Sequence, residues 1–397
     1  MSSFPPHLEY VRVAARAALG DVKPAGAPGE GESHALMLAS PTSGGHDLPP
    51  YYLVYFLLVD LLGFEDMGQW EKTAWAVPIR YAGRLYSIEH RKMGLGIFAP
   101  TYGDVNSSAR KASDQAQQDA REICALITKG VAKAEPYFEW RAEQAAGGDG
   151  VNVVNNSDWL FERYEYLRDE HKRLREEFER RKDERVVTEL PDGGRMSSWP
   201  AYNIRQHAEW TGQAAIDAFF SWTEHAFIHF AILHGAIKNG DEVAALAEGD
   251  WKAKFKAALP VQDAEMKAYY DTLLDLRAQI RNYMAHGAFG KRGQAFQFHS
   301  GAGAVPVLLT HRQQHRYTLS GKPAFGEEAG LLEIEKFVAH MRAKNAIPLE
   351  HVQSGLPSIL TFVTNGTYKA AMLSMENMQD FIKDLSRQID RSHNMEW

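Results

Sequence analysis

Ala214-Ala-Ile-Asp-Ala-Phe-Phe-Ser-Trp-Thr-Glu-His-Ala-Phe-Ile-His-Phe-Ala-Ile-Leu233 is the stretch that decides the fold. At about 3.6 residues per turn, Phe219, Phe220, Trp222, Phe227, Ile228, Phe230, Ile232 and Leu233 fall nearly all round a helix. Such a helix has no broad face for water and belongs at the centre of a bundle. The pattern extends over residues 204–234. Asp217, Ser221, Glu224 and His225 recur at i, i+4, i+7 and i+8 and form one polar stripe. On a helix this apolar the stripe needs either solvent or a polar neighbour.

The flanking sequence supplies helices to surround it. Residues 158–185 read as one long helix with Leu160, Tyr164, Leu167, His171, Leu174 and Phe178 spaced by four and three, the narrow seam of a coiled coil. That seam suits assembly. Within 168–185, eight Lys/Arg and seven Asp/Glu nearly cancel, so the stretch reads as a solvated face rather than a nucleic-acid stripe. Residues 190–203 read as a turn-rich loop. Gly240 and Asp241 break the chain, and short helical pieces follow. Pro260 and Asp263 then open a helix whose inner face is Met266, Tyr270, Leu273, Leu276, Ile280 and Met284.

Farther out the character changes. A short helix over 7–19 ends at Gly20, and 21–50 reads as an exposed loop rich in Gly, Pro and Ser. A buried helix is expected at 51–62, three short β runs between 75 and 99 with turns at Ala82-Gly83 and Met93-Gly94, and helix over 107–145. After residue 290, β-like runs return around Phe296, Val305 and Tyr317. Helices follow over 331–343 and 369–389, with a strand at 359–363. The fold class is therefore mainly α: a central helical bundle at 151–290, an N-terminal mixed α/β region at 1–150 suited to sensing or regulation, and a C-terminal α/β extension at 291–397.

Composition narrows the function. The chain has 397 residues, 45% hydrophobic and 24% charged, with net charge −7 and pI about 6.2. A general electrostatic grip on nucleic acid is not indicated, so any RNA or DNA chemistry must use a local basic site. One cysteine, Cys124, rules out an intramolecular disulfide and fits a reducing compartment. The start lacks the features of a signal peptide, and the longest apolar run, 51–64, is interrupted by Asp60 and too short for a bilayer span. A soluble, cytoplasmic protein without a membrane partner is expected.

Chemistry concentrates in Ala278-Gln-Ile-Arg281-Asn282-Tyr-Met-Ala-His286-Gly287. On a helix, Asn282 and His286 share a face, and Gly287 suits the residue that ends it. The negative end of the helix dipole favours imidazolium at His286, and an imidazole titrating near neutrality serves as general acid or base. A guanidinium such as Arg281 binds phosphate through two hydrogen bonds and stabilises charge on phosphoryl oxygens. Asn282 can orient the imidazole. These groups suffice for RNA transesterification by the 2′-OH, with no metal and no cofactor. They also fit an ordinary helix end, with Arg277 and Arg281 exposed and His286 only stabilising the dipole.

This stretch resembles the signature of the HEPN superfamily: Arg, four to six residues, then His, with a polar residue after the Arg and Ala-His-Gly at the end. The resemblance covers about a third of the chain and rests mainly on seven residues, Arg281 to Gly287. It implies a bundle of four or five helices and a metal-independent endoribonuclease in which two protomers meet at one cleft. Arg281 would hold the scissile phosphate, His286 would act as acid or base, and Asn282 would support them. Such proteins occur in prokaryotic antiviral defence and toxin systems, so RNA, a second copy, and a regulatory or antitoxin partner are the expected partners. Supporting candidates are Glu224, as an electrostatic partner of Arg281, and Arg277. The alternative is a non-catalytic helical module that binds a nucleotide or nucleic acid, or that serves assembly.

Other constellations are weaker. His225 and His229 are four apart but lack a third ligand at metal-binding spacing. His311, Arg312, His315 and Arg316 make a basic spot that fits a surface turn as well as a phosphate contact. Asp250-Trp-Lys252 sits in a helical context, without the strand a metal-dependent nuclease needs. Walker A, dinucleotide, Gly-x-Ser-x-Gly and paired-cysteine motifs are absent.

Overall fold

The computed structural model describes residues 4–26, 30–101, 112–191, 193–286, 294–309, 317–319 and 326–395; for 281–286 the description covers the helical backbone. The fold is mainly α with small antiparallel sheets. Among the described residues no helix is long and apolar enough to cross a membrane. Contacts group the chain into two units, residues 1–145 with 384–397, and residues 146–383.

The first unit has a five-stranded antiparallel sheet, its strands placed in the order first, third, fourth, fifth, second along the chain. Helix α1 (Glu9–Ala18) ends before Gly20, whose φ of +54° permits the turn. Residues 21–50 are not the open loop expected. They hold β1 (Lys23–Pro24), α2 (Glu30–Met37) and β2 (Ser40–Pro41), then a 3-10 turn at Ser43–Asp47. A Cβ at Gly45 would stand 2.5 Å from the Ile97 nitrogen, so this glycine serves close backbone packing. Helix α3 (Tyr51–Tyr55) continues in a π-helical turn, Phe56–Leu61. The expected strands are β3 (Thr73–Tyr81), β4 (Arg84–Arg91) and β5 (Gly94–Ala99). Ala82 and Gly83, both at positive φ, join β3 to β4 in a two-residue hairpin turn. Helices α4 (Asp114–Lys133), capped by Ser113, and α5 (Glu135–Ala146) follow. Val77, Ile88 and Ile97 from the sheet pack with Leu57, Leu58, Ile123 and Ile127.

The second unit begins with β6 (Asn152–Val153) and α6 (Ser157–Arg181). The expected loop at 190–203 is largely a hairpin of β7 (Val186–Glu189) and β8 (Arg195–Ser198). Helix α7 (Ala201–Leu233) is 33 residues, roughly 50 Å long. It carries the buried residues expected, from Ile216 and Phe219 to Leu233. Helix α6 packs on α7, so its seam serves the bundle of its own chain: His171 Nδ1 lies 2.7 Å from the Ala208 carbonyl, and a Cβ on Gly212 would meet it at 2.8 Å. The buried indoles are paired, Trp222 donating to Ser157 Oγ at 2.8 Å and Trp251 to Thr223 Oγ1 at 3.0 Å.

Asn239 caps α8 (Gly240–Glu248), and Asp250 caps α9 (Trp251–Ala258) through the Ala253 N–H. Asp250 therefore has a structural task. Helix α10 (Ala264–His286) buries Met266, Tyr270, Leu273, Leu276 and Ile280 as expected. Strands β9 (Gln294–Ser300), β10 (Gly303–Leu309) and β11 (Tyr317–Thr318) form a separate sheet. The expected extension at 291–397 is not one body. Helix α11 (Glu327–Lys344) packs into the bundle, with Phe337 against Phe219 and Phe255. Helix α12 (Ala346–Gln353) and β12 (Ser358–Ile359) follow, and the expected strand continues as α13 (Thr361–Thr364). Then come α14 (Thr367–Ala371) and α15 (Met375–Asn394), with residues from 384 on grouped in the first unit.

Candidate functional site

The candidate motif lies in the last turns of α10, which is helical through His286. At about 100° per residue, positions 282 and 286 fall about 40° apart. Both lie on the side away from the line of Leu273, Leu276 and Ile280, which are buried. Positions 281 and 286 are about 140° apart around the axis and about 8 Å apart along it. One helix therefore does not bring Arg281 and His286 onto a common face. Their side chains, with that of Asn282, lie outside the described residues, as does the basic spot at His311, Arg312, His315 and Arg316.

Four residues before Arg281, on the same helix, Arg277 forms an ion pair with Glu224 of α7. Lys254 of α9 reaches the other carboxylate oxygen at 3.2 Å. Three helices thus meet at Glu224. The lysine side chain is only 7% exposed, which makes the carboxylate its necessary counter-charge. The described partners of Glu224 are thus Arg277 and Lys254. Asp217 and Ser221 of the same stripe are exposed to solvent. Lys254 was not singled out from the sequence, although a signal exists: it shares a face with Trp251, Phe255 and Ala258, which are buried, and a lysine on a core face calls for an acid.

On the other side of the stripe lies a chain of neutral polar groups. The Asn156 N–H donates to His225 Nε2 at 2.8 Å, which fixes that nitrogen as an acceptor. His229 Nε2 lies 3.2 Å from the same atom, and His229 Nδ1 lies 2.8 Å from the Ser358 hydroxyl oxygen. Burial, then the neighbouring His225 and His351, push His229 down to about 3. Burial lowers His225 as well and takes His351 to about 4. His351 is fully buried, and neither ring nitrogen has a hydrogen-bond partner among the described residues. Nothing in the short helix around it marks this residue in the sequence. These imidazoles are held neutral, which suits a structural role better than proton transfer near neutrality. Among the described residues no group of three or more His, Cys, Asp or Glu is placed to hold a metal ion.

Arginines line two clefts among the described residues. In the first unit, Arg80 and Arg84 face a cleft of about 490 Å³ but are paired with Glu32 and Asp119. In the second, Arg168 and Arg342 border a cleft of about 470 Å³ and are paired with Asp169 and Glu165. Internal carboxylates already answer the cations in each case, which weakens both as anion sites. No family model, curated protein or solved structure matches the chain.

Proposed function

We propose that the protein is a metal-independent endoribonuclease of HEPN type, acting where two copies of α10 meet, in prokaryotic antiviral defence or a toxin system. In this reading Arg281 binds the scissile phosphate, His286 transfers the proton and Asn282 orients it. Glu224, itself held by Lys254, braces Arg277 one turn before Arg281, which ties the motif helix to α7. The helices from α6 to α10 are the bundle that carries the motif.

The observation that carries the proposal is helical register. The helix continues through His286, and position 282 falls about 150° and position 286 about 110° round from the middle of the buried line of Leu273, Leu276 and Ile280. A histidine and an asparagine about 40° apart near a helix end are the pairing a substrate phosphate and its attacking hydroxyl would require. The separation of about 140° between Arg281 and His286 favours a site completed by a second copy. Acid–base catalysis of 2′-OH attack wants two proton-transfer groups, and the second copy supplies the other. The test is incubation of the full chain with mixed RNA in EDTA and determination of the product ends. The expected ends are 2′,3′-cyclic phosphate and 5′-hydroxyl; intact RNA or 5′-phosphate ends contradict the proposal.

A further inference from the structure

Strands β7 and β8 form a sheet of two, with no third strand beside them among the described residues. Every residue of β7 is exposed, Val186 at 42% and Val187 at 50%. An isolated hairpin is marginal in water, and a free apolar edge is a template for another strand. The phase of the ladder shows which groups that edge presents. The Leu190 N–H donates to the Gly194 carbonyl at 2.8 Å. Bonded pairs alternate along an antiparallel ladder, and Thr188 faces Met196 while Val186 faces Ser198. Those two pairs are bonded within the hairpin. The N–H and C=O of Val187 and Glu189 therefore point away from β8.

We propose that the outer edge of β7 pairs antiparallel with the same edge of a second copy of this chain, about a two-fold axis at Val187. Two independent features choose this occupant. The first is charge: Arg185-Val-Val-Thr-Glu189 has a cation at one end and an anion at the other. Pairing centred on Val187 sets Arg185 of each copy opposite Glu189 of the other. The second is phase: the same register brings the outward backbone groups of Val187 and Glu189 into bonding position. A shift by one residue turns inward groups to the interface, and a shift by two sets Arg185 opposite Pro191 or Val187 and Glu189 opposite Val187 or Asp183, so neither charge is answered. The corresponding stretch of β8, Arg195-Met-Ser-Ser198, has no acid to answer its arginine. Within the hairpin Arg195 stands 3.5 Å from Glu189, both side chains about three-quarters exposed. Arg185 of the second copy extends that pair into a network. The resulting contact is isologous, closing at two copies. It rests on the hairpin and not on the ribonuclease reading.

Sedimentation velocity of the full chain, from low-micromolar to submillimolar concentration, tests it. The wild-type chain is expected to dimerise. Arg185→Glu alone and Glu189→Arg alone each set like charges opposite at both ends and weaken the dimer by about tenfold or more. Mixing these two variants pairs opposite charges at both ends again and restores dimerisation, which also shows that each variant is folded. Val187→Pro removes the central N–H and is expected to weaken association by at least as much as either charge substitution. A wild-type chain that stays monomeric, a dimer indifferent to these substitutions, or a mixture that fails to recover overturns the proposal.

Discussion

Glu224 and His225 are adjacent on α7, yet their surroundings treat charge in opposite ways. Glu224 meets Arg277 and the nearly buried Lys254, so its site is built from full charges that answer each other. His225, about 100° round the helix, leads into His229 and Ser358, where hydrogen bonds run through neutral atoms. A charged cluster beside the motif helix fixes that helix only while every member is present. A neutral histidine chain holds only while no member gains a proton.

Acid breaks the second arrangement first. The folded-state values of His229 and His351, about 3 and about 4, lie below the ordinary value near 6.5. The unfolded chain therefore binds more protons, and stability falls as pH drops below about 6.5, the loss levelling off only once the folded values are passed. Between pH 6.5 and about pH 5 the expected loss is roughly 2 kcal/mol for each of these two histidines. Urea unfolding of the second unit at a series of pH values measures it. A stability flat across that window contradicts the neutral chain.

Glu224→Ala breaks the first arrangement. It leaves Lys254 without its carboxylate and is expected to cost about 1–3 kcal/mol at neutral pH, discounted because Glu224 is partly exposed. Denaturant titration reads this, and adding Lys254→Met should recover part of the loss. Equal stability of Glu224→Ala and wild type would show that the cluster contributes nothing.

The smallest effect sharpens the contrast. His351→Leu removes two ring nitrogens without partners among the described residues and should leave stability at neutral pH unchanged or raise it by about 1 kcal/mol. It should also flatten the acid slope by about 1.4 kcal/mol per pH unit. An unchanged slope assigns the acid sensitivity to other groups.

Residues with strong periodicity are legible in the sequence alone. Phe219, Phe220, Trp222, Phe227, Phe230, Ile232 and Leu233 in α7 and Met266, Tyr270, Leu273, Leu276 and Ile280 in α10 are buried as their spacing requires, with Ile228 partly so. The hairpin turn at Ala82-Gly83 follows from turn chemistry. What the sequence concealed depends on contacts between distant segments. The seam of α6 has the period of an assembly surface, but which helix fills it is a tertiary fact, and α7 does. Residues 21–50 are rich in loop formers yet hold edge strands, because β3 and β5 offer partners there. In the site, the apolar surroundings of Glu224 call for a polar partner, and Arg277 lies within reach of that reading. Lys254 joined them only through the packing of α9. His351 carries no periodic signal, since its isolation arises from burial among residues far away in sequence.

The most direct measurement is the rate of RNA cleavage in EDTA by wild type, Arg281→Ala and His286→Ala, each checked for intact helical content. Wild type should cleave, and each substitution should lower the rate by about a hundredfold or more, the range expected for loss of a positioned acid–base or charge-stabilising group. Cleavage at the same rate by all three, or by none, would contradict a ribonuclease built on Arg281 and His286.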